Sequence, residues 1–86
     1  CLCHVGYDYQ SDKMSDIKLA EQTEDIDLII GGHTHTFLDK PSKVLNQAGK
    51  ITLINQVGWA GLNLGRMDFY FNKNKEKGVK DVVIEV

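Results

Sequence analysis

The chain has no apolar run approaching the roughly 20 residues a helix needs to cross a bilayer, so no such membrane span is expected. Nor does it carry an excess of basic charge. Ten Lys and Arg stand against twelve Asp and Glu, and a net charge of -2 gives no electrostatic case for binding a nucleic acid polymer. Internal repeats, low-complexity tracts, a leader peptide and an initiator methionine are all missing. With Cys1 in first position, the expectation is a processed or engineered chain, or a piece of something longer. Cysteine is scarce, and its two copies, Cys1 and Cys3, are one residue apart. On a strand both would point to the same face, a poor arrangement for a disulfide between them. Buried thiols in a core strand are the expectation, and they leave the compartment open.

What is present fits one domain at most, since 86 residues is short for more. A chain of this length buries roughly 60 to 65% of its unfolded surface, which makes for marginal stability. Cys1 to Val5 reads as a buried strand end and Tyr7 to Asp12 as a loop. Residues 15 to 23 predict a helix capped by Ser15 or Ser11, with Asp16 in its first turn. Met14, Ile17, Leu19, Ala20 and Thr23 make its modest apolar stripe. Ile26 to Ile30 predicts a strand, and its three consecutive aliphatics suggest burial on both faces. Phe37 to Pro41 reads as a loop, Lys43 to Leu45 as a short strand, and Gln47 to Lys50 as a hairpin turn into a strand over Ile51 to Val57. Leu62 to Phe71 predicts a strand with one wetter face. Asn72 to Gly78 reads as a charged turn and Val79 to Val86 as a last strand. The class is α/β: strand, helix, strand, followed by antiparallel strands. Trp59, Phe69 and Phe71 are core or interface candidates.

All three histidines fall where apolar runs end. His33 and His35 follow Gly31-Gly32 at the close of the Leu28 to Ile30 run, and His4 closes the first run. Glycines let backbone approach a bound group closely. In open α/β sheets, ligands sit beyond the carboxyl ends of strands. If the two strands run parallel through the intervening helix, their ends share one edge and the three imidazoles converge. Neutral imidazole is a common ligand for zinc, manganese and iron, so His4, His33 and His35 are candidate metal ligands.

Ile29-Ile30-Gly31-Gly32-His33-Thr34-His35 resembles the Gly-His-x-His motif of calcineurin-like metallophosphoesterases. Leu2-Cys3-His4-Val5-Gly6 resembles the earlier Leu-Ser-His-x-Gly motif of that family, with Cys3 in place of the usual serine. Ser15 to Ala20, Ile26 to Ile30, and Asn55 to Gly61 followed by Leu64-Gly65 resemble its 5′-nucleotidase branch. The resemblance implies a dinuclear site holding two divalent metal ions of the Mn, Zn, Fe or Mg type. His4 and His33 would then be ligands of the second metal and His35 a ligand of the first. It also implies a four-layer α-β-β-α sandwich of which this chain is the carboxyl-terminal half, an incomplete domain over residues 1–86. The family's Asp-x-His pair, bridging aspartate, asparagine and Asn-His centre have no counterpart here and are expected upstream of residue 1, so no catalytic residue is assigned within the chain. Asp8, Asp12 and Asp39 read as solvated loop residues.

The function so implied is phosphomonoester hydrolysis of the 5′-nucleotidase type, acting on a phosphate ester or nucleotide, with export to the bacterial periplasm and little or no turnover by the isolated chain. Its open apolar faces predict self-association or strand swapping. Two alternatives stand beside it: a small zinc-binding module using the three histidines with Cys3 or water, and an inactive remnant without metal.

Overall fold

The computed structural model describes residues 1–71 and the backbone of residues 77–85. Ser15 begins the ordered packing. Its backbone is extended and its Oγ accepts from the Lys18 amide, the usual way a serine satisfies one orphan N–H at a helix start. The helix α1 that follows, Asp16–Glu21, is shorter than its sequence pattern and ends at Gln22. The N-cap is thus Ser15, not Ser11. Ala20 is fully buried, with Ile17 and Leu19 packed partly under it, whereas Met14 lies outside the stripe and is exposed.

The helix covers one face of a three-stranded mixed sheet made of β1 (Leu28–Ile30), β2 (Ser42–Leu45) and β3 (Ile51–Asn55), in the order β1-β3-β2. β3 is central. It runs parallel to β1, with Leu28 opposite Leu53, and antiparallel to β2, with Val44 opposite Thr52. From Ile26 onward the predicted strands appear in order, whereas the first one, Cys1 to Val5, is reduced to an isolated bridge, and the parallel β1/β3 pair was hidden in what reads as an antiparallel run. Its central place explains why β3 is buried from Thr52 to Asn55, on both faces. Ile29 and Ile54 meet Ala20 to form the core.

The hairpin joining β2 to β3 is closed by Asn46. Its Oδ1 accepts from the Ala48 and Lys50 amides, its Nδ2 donates to the Glu24 carbonyl, and Gly49 takes the left-handed conformation at φ 76°. A second, two-stranded sheet pairs β4 (Asn63–Phe71) with β5 (Lys77–Glu85), antiparallel from Asn63/Glu85 to Phe71/Lys77. Lys77 and Gly78 therefore belong to β5 rather than to the charged turn; the remainder of that predicted turn lies outside the described residues. The α/β class is met by one short helix on a mixed sheet.

Three burial expectations are corrected. The Cys1 to Val5 segment pairs with β1 through one parallel bridge, Leu2 to Ile30, but it is not buried: Leu2 is 80% exposed and Cys1 is exposed too. Ile30 is exposed on the sheet face away from the helix, where it lines a cleft of about 340 Å³ with Asn63, Leu64, Gly65 and Met67 of β4. Trp59 and Phe71 are exposed rather than core, and Phe69 is half-buried. No helix among the described residues is long and apolar enough to cross a membrane.

Candidate metal centre

The first chain segment and β1 run parallel and finish side by side. Cys3 N donates to Ile30 O and Ile30 N to Cys1 O, which fixes their relative register. His4 and the Gly31-Gly32-His33 turn consequently emerge at the same edge. The His4 and His33 rings lie edge to face, with centroids 5.3 Å apart. His4 Nδ1 sits 2.8 Å from where a Cβ on Gly32 would fall, so a side chain at that position would displace the imidazole. Both rings are exposed to solvent.

The turn carrying His33 is strained. Thr34 N donates to Gly32 O across a three-residue γ-turn with His33 at its centre at φ 74°, and His35 is also left-handed at φ 51°. This hand of γ-turn is rare, and non-glycine residues at positive φ concentrate at functional sites, where the surroundings hold the strain in place. The holding groups here are visible. Gln56, buried at 2% exposure, accepts at Oε1 from Thr36 N at 2.7 Å and from Thr34 Oγ1 at 3.3 Å. Thr34 Oγ1 in turn accepts from Tyr7 N. Downstream, Leu38 N bonds Gln56 O, Gly58 N bonds Thr36 O, and Phe37 bridges Val57, so the predicted Phe37 to Pro41 loop begins as an antiparallel clasp.

His35 takes a different neighbour. Its ring stacks on the Trp59 indole at 5.8 Å, with planes 10° apart. The histidines therefore form a pair, His4 and His33, with a third ring held on Trp59. Among the described residues no group of three His, Cys, Asp or Glu side chains is clustered tightly enough to hold a metal ion by itself. Asp8, Asp12 and Asp39 are exposed, as expected of solvated loop residues.

The donor chemistry suits a divalent metal of the nitrogen- and oxygen-binding kind. The adjacent thiol is otherwise engaged: Cys3 Sγ donates to Asp16 Oδ1 at 3.2 Å. Burial, reinforced by that bond and by the Asp16 charge, pushes the Cys3 thiol above its ordinary range.

Asp16 is the site residue that sequence reasoning missed. An acid in the first turn of a helix ordinarily lies in water near the positive end of the helix dipole. Here it is fully buried. Desolvation raises its pKa, opposed by the Cys3 thiol and the Gln56 amide, which favour the ionised form. The Gln56 amide falls short of hydrogen-bond geometry, and Asp16 Oδ2 and Gln56 Nε2 are both left without a hydrogen-bond partner. No local signal in the sequence distinguishes this aspartate from a solvated one.

The sequence that builds this arrangement is similar to those of known proteins. The chain is 42% identical over 78 residues to a trifunctional nucleotide phosphoesterase of Bacillus subtilis, covering 91% of this chain and 5% of that protein. It is 35% identical over 88 residues to an apyrase of Tabanus yao, covering 85% of this chain and 15% of that one. No family model matches the chain, and no solved structure matches it. Both relatives are named for hydrolysis of nucleotide or phosphate esters, and the chain spans only 5% and 15% of their lengths. More narrowly, over most of its length the chain is similar to proteins of the 5′-nucleotidase/metallophosphoesterase type.

Proposed function

We propose that the chain is the carboxyl-terminal half of a metallophosphoesterase domain, a part of a four-layer α-β-β-α sandwich, and that it supplies His4, His33 and His35 to a dinuclear site for hydrolysis of nucleotide phosphomonoesters. The observation that carries this is the 5.3 Å approach of the His4 and His33 rings at the common end of two parallel segments. The names of the two relatives support the substrate class. The open apolar surface supports an incomplete domain: Leu2, Ile30, Leu64 and Phe71 are all exposed and need cover.

When bound, divalent metals supply charge to the phosphoryl oxygens and acidify a water. The residues of this chain hold and aim. His4 and His33 present their imidazole rings side by side. The Gln56 and Thr34 hydrogen bonds keep the strained turn from relaxing, and the Trp59 indole fixes the plane of the His35 ring. Among the described residues no carboxylate stands beside the imidazole pair to bridge two ions, so the remaining ligands come from the other half of the domain.

Calorimetric titration of the chain with manganese or zinc tests the ligand role. Binding that weakens in His4→Ala and His33→Ala is expected, and stoichiometric binding unchanged by both substitutions would overturn it. Hydrolysis of an aryl phosphate with added manganese or zinc tests the partial-site reading: the isolated chain should turn over negligibly, and robust metal-dependent activity would contradict it.

A further inference from the structure

We propose that Asp16 is the positioning residue of the imidazole pair: a buried carboxylate that sets the spacing between the His4 segment and the His33 turn by touching both. The inference deepens the metal-site reading above and rests on it for its functional meaning. The surroundings of the side chain carry it. Oδ1 takes the thiol proton of Cys3, the residue before His4. The Asp16 amide donates at 2.8 Å to the carbonyl of Gly6, two residues after His4. Oδ2 occupies the space that a Cβ on Gly31 would need, so the carboxylate rests against bare backbone two residues before His33. Across from it stands Gln56, whose Oε1 holds Thr34 and Thr36 on either side of His35. One fully buried side chain thus meets both pieces of chain that bear histidine, at Cys3 before His4 and at Gly31 before His33.

A group packed this closely has no slack. If the carboxylate is removed, Cys3 loses its acceptor, and the Gly31 backbone faces a void. The two segments then keep their backbone bonds and the Tyr7 N to Thr34 Oγ1 bond but lose the wedge between them. Groups behind metal-binding histidines orient them, and their loss costs roughly 10- to 100-fold in metal affinity. Asp16 acts one step further back, through the peptide segments rather than the rings themselves.

The test uses two readouts on the 86-residue chain. The first needs no metal: the nuclear Overhauser effect between the His4 and His33 imidazole protons in chelator. The second is zinc affinity by calorimetry. Asp16→Ala should abolish the Overhauser effect and weaken zinc about tenfold or more, while Asp16→Asn, which keeps an acceptor oxygen for Cys3, should retain most of both. Cys3→Ala and Cys3→Ser repeat the comparison with Asp16 intact, so the question survives an Asp16→Ala chain that does not fold; the alanine should loosen the pair and the serine should not. A His4/His33 Overhauser effect undiminished in Asp16→Ala, or in Cys3→Ala if the former is unfolded, overturns the proposal whatever the metal does. If the substitution separates the two rings and the wild-type chain binds no zinc, the positioning role stands and the metal reading alone falls.

Discussion

The indole of Trp59 lies parallel to the imidazole of His35, 5.8 Å centre to centre, and it is the sole tryptophan of the chain. Its emission is therefore a private reporter of that histidine. Manganese or cobalt held by His35 should quench it, and His35→Ala should abolish the quenching while leaving the His4/His33 pair in place. Calorimetric binding of either ion with unaltered emission would exclude His35 as a ligand.

Asp16 gives the fold a pH dependence of definite sign. Its folded-state pKa is raised above the ordinary 3.8 by burial. An acid of this kind binds more protons folded than unfolded, so its contribution to stability falls as pH rises from 3.8 through the folded value, with the cost fully present above it. In chelator, the urea midpoint of the wild-type chain should fall relative to that of Asp16→Asn as pH rises through this window and keep a constant offset beyond it. Parallel profiles for the two proteins would refute the assignment.

Gly31 and Gly49 separate two reasons for glycine. At Gly31 a methyl would collide with Asp16 Oδ2, whereas at Gly49 nothing lies within 4 Å but φ is +76°. Gly31→Ala should cost about 1 to 3 kcal/mol by overpacking, and Gly49→Ala about 1 to 2 kcal/mol from backbone strain alone. Only the first should perturb the His33 imidazole resonances. Equal perturbation by both would mean that the turn is not wedged against the carboxylate.

Asn46 is 8% exposed and engages the Ala48 and Lys50 amides and the Glu24 carbonyl. Asn46→Ala leaves these groups to find other partners, and a loss of about 1 to 3 kcal/mol is expected. A denaturation midpoint within error of wild type would show that water replaces the amide without cost.

Exposed Leu2, Leu64, Tyr70 and Phe71 leave more apolar surface than a monomer usually presents. Sedimentation velocity should detect concentration-dependent association of the isolated chain. A single monomeric species even in concentrated solution would argue that these side chains find cover within the chain.

Much of the architecture was legible because local patterns carry it. Ser15 before a helix-forming run, Gly31-Gly32 after Leu28 to Ile30, and the Gln47 to Lys50 turn each mark a boundary that the structure respects within a few residues. The side-by-side placement of His4 and His33 followed from strand direction alone. What local pattern cannot carry is partner choice across distance. Nothing in Ile51 to Asn55 announces that it pairs in parallel with Leu28 to Ile30. Nor does anything near Asp16 announce that Gly31 and Cys3 close over it. Hydrophobicity also misled: Trp59 and Phe71 read as core because they are large and apolar, yet one lies over His35 and the other lies in the open.

The sequence distances within the three-stranded sheet set an order of assembly. The hairpin around Asn46 joins neighbours, Val44 to Thr52 and Leu45 to Ile51, and such a unit closes on the microsecond scale. The pairings Leu28 to Leu53 and Leu2 to Ile30 span much longer loops and must wait for those loops to close. On loop length, the edge where the imidazoles meet is expected to be the last part of this sheet to form during folding. Ligands bridging that edge would latch the slowest step.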